Sequence, residues 1–415
     1  MIQVIKKQNY QGIIAIPPSK SDSQRAILCA GLAFGISVLS NVGKSDDEKV
    51  MISTIRSLGA RIHFKDEKTL EIKGVGGLQL NSIKKIELGE SGLGARLLIS
   101  IAATSTQSIE LNGEGSLLDR DMSFFENYLP KMGVEITSNN FKLPIIVKGP
   151  IKGGNYSVDG GQSSQYISGL LMALPFANEA TVLKVTDLKS RPYVYMTLGT
   201  LKHFGIDVRE LGDHYFIREN QQFSGKDYTI DGDWSSASYW LVASALGIDV
   251  SVKGLSMNSL QADKSILQAF LSANCEIINS KEGIRIKGKN RVPFSFDATD
   301  CPDLFPALVV LACFTKGKSV LKGVNRLANK ESHRANTLKQ EFEKLGFKIE
   351  LIDNEMLIHG GGDVKGCRCG SHHDHRIAMC LAIVGMFSDE GIEIEDSEVV
   401  TKSYPGFWED LRLLG

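Results

Sequence analysis

Alternating apolar and polar residues predict a pair of strands at five places along the chain. At each place a helical segment ends near a glycine or an asparagine, an alternating strand follows, and a polar turn leads into a second strand. The five segments are LGARIHFKDEKTLEIKG, MGVEITSNNFKLPIIVKG, FGIDVRELGDHYFIREN, ANCEIINSKEGIRIKG and LGFKIELIDNEMLIHGG, anchored at Gly59, Gly133, Gly205, Asn274 and Gly346. Successive anchors lie about 70 residues apart, which indicates a repeated supersecondary unit.

A second series of segments has the pattern of buried helices. Each begins with polar residues, often a Ser or Asp that suits an N-cap, and continues as an apolar run. The six segments are SKSDSQRAILCAGLAFG, ESGLGARLLISIAATS, QSSQYISGLLMALPFA, WSSASYWLVASALG, DLFPALVVLACFTKG and DHRIAMCLAIVGMF, starting near Ser21, Ser91, Ser163, Ser235, Asp303 and Asp374. They are again about 70 residues apart. Two series in phase favour six true repeats over a string of unrelated α/β units.

Six repeats need six strand pairs, and the sixth is missing after the last helix. That helix, from about Tyr404 to Leu414, is followed by Gly415 alone, whereas the chain opens with the alternating segment IQVIKKQNYQGIIAI. We expect this segment to form a hairpin that completes the last repeat. The prediction is an α/β (α+β) protein with two similar three-repeat domains: residues 1–17 plus 231–415, and residues 18–230. Two crossing strands, the first at Pro17 and Pro18, would form a hinge between them.

Composition and charge restrict the classes of function. The chain has 415 residues, 42% of them hydrophobic and 23% charged, which fits a globular protein of more than one domain. A net charge of -1 provides no basic field for nucleic acid or an anionic membrane. The N-terminal segment lacks the apolar core of a signal peptide, and the seven cysteines are scattered. We therefore expect a cytoplasmic protein with reduced thiols, and a monomer.

Basic residues recur close to the predicted helix starts. Helix N-termini carry free N–H groups and a positive dipole end, so converging helices with nearby Arg and Lys can hold anions. The basic residues are Lys20, Arg25, Arg96, Arg120, Arg191, Lys330, Arg334, Arg376 and Lys402. The first of the segments, PSKSDSQR, adds three hydroxyls to two cations and suits a phosphorylated polyol. Neither a Walker loop nor a dinucleotide fingerprint is present, which argues against a nucleotide ligand.

Nine segments in order and spacing resemble the 5-enolpyruvylshikimate-3-phosphate synthase family. They are PSKSDSQR, LGESGLGAR, GGQSSQYISGLLMALP, SRPY, DGDWSSASY, CPDLFPAL, NKESHR, HDHRIAMC and TKSYPGFWEDL, and they cover essentially the whole chain. The resemblance implies two domains of three βαβαββ-type units each, an inside-out α/β barrel arrangement with the active site in the cleft between the domains. It also implies transfer of the enolpyruvyl group of phosphoenolpyruvate to the 5-hydroxyl of shikimate 3-phosphate, with release of phosphate and without metal or organic cofactor.

The resemblance also implies site residues. The residues that match contacts to shikimate 3-phosphate are Lys20, Ser21, Arg25, Ser163, Ser164, Gln165, Ser190, Tyr193, Asp303 and Lys330. Those that match contacts to phosphoenolpyruvate are Lys20, Gly92, Arg120, Gln165, Arg334, Arg376 and Lys402. Asp303 resembles the general base at the 5-hydroxyl, Glu331 the acid that protonates the enol carbon, and Lys20 a catalytic contact to both substrates. Two carboxyl groups in different environments can divide these proton transfers between them.

The chain departs from the family at three places. The glycine loop has Glu90, Ser91, Gly92 and Leu93 where Asn-Ala-Gly-Thr is common, Arg326 stands at a position where Asn is common, and His333 replaces an Asp. An ionised Glu90 would repel phosphoenolpyruvate, so we expect it to be neutralised by a cation, with Arg96 as the candidate, or to point away.

Parts of the sequence also suggest three other interpretations. The segment CRCGSHHDHR, with Cys367, Cys369, His372, His373 and His375, lacks the usual spacing of a zinc site, so a loop with free thiols is expected. An enolpyruvyl transferase acting on a UDP-linked amino sugar would carry a reactive cysteine near GEGSLLDRD, where this chain has none. A binding module that senses a phosphorylated metabolite would not need both Asp303 and Glu331, and a phosphate-release assay separates it from an enzyme.

Overall fold

The computed structural model describes residues 1–77 and 83–415, and the chain forms two compact units. Unit one contains Met1–Ser19 and Asp231–Gly415, and unit two contains Lys20–Ile230. The two connecting segments run side by side in unit one, where the Ser19 N–H donates to the Asp231 carbonyl at 2.7 Å. The division falls two residues beyond the predicted boundary after Pro17. The hinge and the cleft between domains stay predictions.

The described residues contain 23 strands and 12 α-helices. The strands are β1 Gln3–Ile5, β2 Gln11–Ala15, β3 Ile36–Ser40, β4 Arg61–Phe64, β5 Thr69–Lys73, β6 Lys85–Glu87, β7 Ile109–Asn112, β8 Glu135–Asn139, β9 Lys142–Lys148, β10 Gly154–Asp159, β11 Thr181–Thr186, β12 Val208–Leu211, β13 His214–Ile217, β14 Tyr228–Thr229, β15 Asp249–Lys253, β16 Glu276–Ser280, β17 Gly283–Lys287, β18 Ser295–Asp297, β19 Gly317–Lys322, β20 Lys348–Ile352, β21 Glu355–Gly360, β22 Cys367–Gly370 and β23 Ile392–Glu395. The helices are α1 Lys20–Leu32, α2 Asp46–Ser57, α3 Gly92–Ala102, α4 Ser123–Tyr128, α5 Ser164–Ala173, α6 Arg191–His203, α7 Trp234–Leu246, α8 Ile266–Ser272, α9 Phe305–Cys313, α10 Arg334–Lys344, α11 His375–Gly385 and α12 Phe407–Leu414.

One sheet pattern recurs in both units. A strand pairs in parallel with a central strand, which then pairs with an antiparallel hairpin, as in the order β6-β7-β9-β8 of unit two and β18-β19-β21-β20 of unit one. The hairpins β4-β5, β8-β9, β12-β13, β16-β17 and β20-β21 are the five predicted strand pairs. The first sheet of unit two takes its parallel strand from β14, at the far end of that unit.

The N-terminal segment forms two strands but not the predicted hairpin. Strand β1 pairs antiparallel with β23, in the sheet that also contains β22, whereas β2 pairs in parallel with β15 in a different sheet. The alternating pattern sets which residues form strands, but the open edges of the two sheets set the partners, because each edge leaves backbone groups unpaired. The segment therefore completes the last repeat with β1 and the first repeat of unit one with β2.

The six apolar helices lie at the centres of the units, as their composition predicts. Helices α1, α3 and α5 of unit two are buried along almost their whole length, and so are α7, α9 and α11 of unit one. A helix that is apolar on every side needs burial all round, and the sheets supply it with their inner faces. In this arrangement the helices are inside and the sheets are outside. The polar starts of the helices then carry the side chains that can bind a ligand or react.

Two findings bear on the class of protein. No helix in residues 1–77 and 83–415 is long and apolar enough to cross a membrane. All seven cysteines are free thiols, and six of them are buried.

Candidate active site

Unit one gathers three cations around a single carboxylate, that of Asp303. Its Oδ1 lies 3.1 Å from Lys330 Nζ and 2.8 Å from Arg334 Nη1, and its Oδ2 lies 3.1 Å from Arg376 Nη2. Asp303 remains 25% exposed, so a ligand can reach the carboxylate that these cations hold. Cations that hold an accessible carboxylate can also donate to an anionic ligand that reaches it.

Arg334 is the centre of this cluster and is 1% exposed. Its Nε donates to Asp374 Oδ2 at 2.7 Å, its Nη2 to Glu331 Oε2 at 2.5 Å, and its Nη1 to Asp303. A guanidinium has a fixed planar set of donors, so one Arg can fix three carboxylates in relation to each other. The structure thereby brings Asp303 and Glu331 to opposite branches of one side chain.

The starts of two helices and a short turn position these groups. Arg334 is the first residue of α10, Arg376 is the second residue of α11, and Asp303 lies in the 3-10 turn Pro302–Leu304 before α9. Asp374 is the N-cap of α11, and its Oδ1 accepts from the Arg376 N–H at 3.0 Å. The starts of α10 and α11 therefore both supply an arginine to Asp303 within unit one.

The cluster shifts the ionisation of its members. Burial would raise the pKa of Asp303, but Arg376, Lys330 and Arg334 outweigh it and hold this pKa well below the usual value. Burial lowers the pKa of Lys330 despite the opposing effect of Asp303. Burial would also lower the pKa of Arg334, but its carboxylates raise it. Before any ligand binds, Asp303 is thus fully ionised at neutral pH.

In unit two Arg25, on α1, is a buried cation. Its Nη1 donates to the Ser21 carbonyl at 2.6 Å, its Nε to Thr197 Oγ1 at 2.8 Å, and its Nη2 to the Tyr193 carbonyl at 3.4 Å. Burial lowers the pKa of Arg25 to about 10. These bonds connect the start of α1 to α6 and bring three predicted site residues together, with Tyr193 contributing its backbone.

Lys20, the first residue of α1, forms an ion pair of 2.9 Å with Asp47 of α2. Both side chains are largely buried, at 15% and 5% exposure. Sequence reasoning missed Asp47, because the run KSDDEK reads as the solvated first turn of a helix. An anionic ligand at Lys20 would have to share the ammonium with this carboxylate.

The glycine loop places Gly92 against a cation. A Cβ on Gly92 would stand 2.3 Å from Arg120 Nη1 and 3.1 Å from Arg96 Nη1, so a side chain there would displace the Arg120 guanidinium from its present position. The Glu90 carboxylate accepts from the Ser116 hydroxyl at 3.1 Å. Arg96, the predicted partner of Glu90, donates instead to the Gly92 carbonyl at 2.8 Å and lies over the Tyr166 ring.

The remaining predicted site residues of unit two also lie at helix starts. Ser163 caps α5 by accepting from the Gln165 N–H at 3.3 Å, and Ser164 is buried in the first turn. Ser190 precedes α6 with a φ of 53°, a left-handed conformation that is uncommon outside glycine. Arg191, named among the basic residues, pairs with Glu210 at 2.8 Å.

Three further predicted positions lie in unit one. Lys402 ends the 3-10 segment Ser397–Lys402 and is 9% exposed. His333 occupies the position before α10, without a capping side-chain bond, and Arg326 lies in the 3-10 segment Val324–Leu327. The assignments of individual residues to substrates stay predictions.

The CRCGSHHDHR segment has other contacts than a zinc site would need. Cys367 and Cys369 lie on β22 with their sulfurs 3.5 Å apart, and His372 bonds to Glu341 at 2.7 Å. Within the described ranges, no group of three or more His, Cys, Asp or Glu side chains is arranged to hold a metal ion. Sequence reasoning treated Asp374 as a helix cap only and missed Glu341, although both are fully buried carboxylates.

Comparison with known proteins identifies the family of this chain. The family model described as EPSP synthase (3-phosphoshikimate 1-carboxyvinyltransferase) matches residues 4–411. The chain belongs to this family. A 3-phosphoshikimate 1-carboxyvinyltransferase from Clostridium kluyveri is 36% identical over 413 residues, covering 99% of this chain and 96% of that protein. The protein of the same description from Clostridioides difficile is 36% identical over 427 residues, covering 99% and 97%.

Solved structures show the same fold. The EPSP synthase of Acinetobacter baumannii superimposes with a TM-score of 0.84 at 24% identity, covering 100% of this chain and 98% of that one. The enolpyruvyl transferase NikO of Streptomyces tendae gives a TM-score of 0.81 at 15% identity, covering 100% and 97%. The two-domain α/β fold predicted from the repeats is confirmed.

Proposed function

We propose that this chain transfers the enolpyruvyl group of phosphoenolpyruvate to the 5-hydroxyl of shikimate 3-phosphate and releases phosphate, a step towards aromatic amino acids. Family membership supports the reaction. The observation that carries it within the structure is the Asp303 carboxylate held by Lys330, Arg334 and Arg376 beside Glu331. That arrangement supplies two carboxyl groups and the cations for an anionic substrate in one place.

The charge of the two substrates accounts for the number of cations. Together the substrates carry roughly five or six negative charges, whose mutual repulsion fixed cations must offset. We assign phosphoenolpyruvate to Lys20, Gly92, Arg120, Gln165, Arg334, Arg376 and Lys402. We assign shikimate 3-phosphate to Lys20, Ser21, Arg25, Ser163, Ser164, Gln165, Ser190, Tyr193, Asp303 and Lys330.

Asp303 and Glu331 divide the proton transfers in this proposal. The 5-oxygen forms a bond to the substituted enol carbon as its proton passes to Asp303, and Glu331 delivers a proton to the methylene carbon. Phosphate then leaves with the proton from Asp303, as one proton of the newly formed methyl group returns to Glu331 and the double bond is restored. Asp303 alone is too weak a base, because three cations depress its pKa. Phosphoenolpyruvate would draw Arg334 and Arg376 to its own charges, and this raises the basicity of Asp303 only when substrate is bound.

A coupled assay of phosphate release tests the proposal. Phosphate is expected only when both substrates are present, at an unchanged rate in EDTA. Phosphate release from phosphoenolpyruvate alone, or no release with both substrates, would contradict the reaction. Dependence of the rate on added metal, after controls for the coupling enzymes, would contradict the part of the proposal that dispenses with a cofactor. The cytoplasmic location and the monomeric state stay predictions.

Gly92→Ala is expected to raise the KM for phosphoenolpyruvate by roughly 10-fold, equivalent to about 1.4 kcal/mol. The added methyl group meets Arg120 Nη1 at 2.3 Å and must displace it. Steady-state kinetics with each substrate varied in turn measure the effect. Gly362→Ala is the matched control, since a Cβ there meets no atom within 4 Å. Equal KM values in the two variants would show that Arg120 has no role in binding this substrate.

A further inference from the structure

The turn between β22 and α11 has a strained backbone. His372 and His373 have φ angles of 52° and 55°, so two successive residues other than glycine adopt the left-handed conformation. Such residues persist where the surrounding contacts determine their conformation, and they concentrate at functional sites. This turn ends at Asp374, the carboxylate that holds Arg334 and caps α11.

Glu341, on α10, contacts the beginning of this turn. The residue is 0% exposed. Its Oε1 lies 2.7 Å from His372 Nε2, and its Oε2 accepts from the Gly370 N–H at 3.1 Å. Lys344 also donates to both oxygens, at 2.8 and 2.7 Å. Burial would raise the pKa of Glu341, but His372, Lys344 and the Gly370 N–H outweigh it and lower this pKa, so the carboxylate stays charged.

Helix α10 therefore binds the turn at two points. Its first residue, Arg334, bonds to Asp374 at the end of the turn, and Glu341, two helical turns later, bonds to Gly370 and His372 at its beginning. A helix is stiff over this length, so the two contacts fix the position of Asp374 along α10. On its other side the turn is held by β23, with which Gly370 pairs, and by Ser371, which donates to the Asp396 carbonyl at 3.3 Å, so Glu341 supplies the hold from the α10 side.

We propose that Glu341 is a positioning residue, which holds the Gly370–Asp374 turn so that Asp374 aligns Arg334 and the start of α11 on Asp303. The inference rests on the proposed function for its consequence in catalysis. Glu341 touches neither substrate in this scheme. It acts through Asp374, and through the two arginines assigned to phosphoenolpyruvate.

Hydrogen exchange of the substrate-free protein tests the positioning directly. In Glu341→Gln the Arg376 amide, which donates to Asp374, is expected to exchange about 10-fold faster than in the unchanged protein. The Gly94 amide, capped by Ser91 in unit two, is an internal reference whose rate should stay the same. Glu343→Gln is the matched control, since Glu343 lies on the same helix, is 42% exposed and pairs with Lys339. Equal Arg376 exchange in the two variants overturns the proposal.

Kinetics then test the consequence for the reaction. Glu341→Gln is expected to raise the KM for phosphoenolpyruvate by roughly 5- to 10-fold, while the KM for shikimate 3-phosphate changes by less than about twofold. The reason is that displacement of Arg334 and Arg376 weakens the binding of phosphoenolpyruvate only. If only kcat falls and both KM values stay unchanged, the folded molecules bind phosphoenolpyruvate normally, and that result contradicts the proposal. If the unchanged protein releases no phosphate, the proposed function fails, and the exchange result still decides the positioning.

A second pair of variants keeps the test decisive if Glu341→Gln does not fold. His372→Asn retains a side-chain N–H donor on a residue that tolerates the left-handed conformation, whereas His372→Ala has neither property. We expect His372→Ala to reproduce the faster Arg376 exchange and His372→Asn to restore most of the protection. Equal exchange in both His372 variants and in the unchanged protein overturns the proposal.

Discussion

Arg334→Met is expected to lower the free energy of unfolding by about 3–5 kcal/mol and to abolish activity. The change removes the guanidinium that pairs with the fully buried Asp374 and also contacts Asp303 and Glu331. Methionine fills much of the same volume, so the loss of stability comes from the unpaired charge of Asp374 and not from a cavity. Urea denaturation measures it, with the midpoint and the slope fitted separately.

Two further variants test whether the loss of stability in Arg334→Met comes from the unpaired Asp374 charge. Lys339→Met, on the same helix but 39% exposed, should change the free energy of unfolding by about 0.5 kcal/mol or less. Adding Asp374→Asn to Arg334→Met should recover part of the stability, because the buried charge is then gone. If the double variant is less stable than Arg334→Met, the stability of this region does not depend on pairing of the Asp374 charge.

Asp303→Asn is expected to reduce kcat by about 100-fold or more while both KM values stay within a few fold. The amide keeps the shape of the carboxylate and one acceptor oxygen for the cations, but it cannot take the proton of the 5-hydroxyl. Phosphate release at saturating substrates measures the loss.

The control for this variant is Asp297→Asn. Asp297 is exposed, on β18, and accepts from the Thr299 N–H at 2.9 Å, so its replacement should leave turnover unchanged. A loss in Asp303→Asn that is confined to the KM values would show that Asp303 binds substrate and carries no proton.

The repeats could be predicted from the sequence because burial controls them locally. Each apolar helix is buried on every side, and each hairpin alternates between a buried and an exposed face, so both leave a pattern within about 15 residues. The partners of β1 and β2 leave no such pattern. Their choice depends on sheet edges formed by strands hundreds of residues away, and the strands of an isolated hairpin have the same alternation.

The candidate site could be predicted where a residue carries its own chemical signal and not where its role depends on a distant partner. Asp303 and Arg334 belong to recognisable segments, and the structure places them 2.8 Å apart. In the sequence, Asp374 is fully explained as a helix N-cap. Nothing there indicates its bond to Arg334, which lies 40 residues earlier. Asp47 and Glu341 appear as ordinary helix charges, because sequence periodicity does not show that they are buried.

The pairing of β1 with β23 has a consequence for the order of events on the ribosome. Gln3 pairs with Ile394, so a strand made at the start of synthesis has no partner until nearly the whole chain has been translated. At about 5–20 residues per second this delay is on the order of 20–80 s. Unit two, contiguous from Lys20 to Ile230, obtains its closing strand β14 much earlier and can fold while the rest is being made. The nascent chain would therefore carry a folded unit two between two unfolded parts of unit one, and the first residues translated would be among the last to fold.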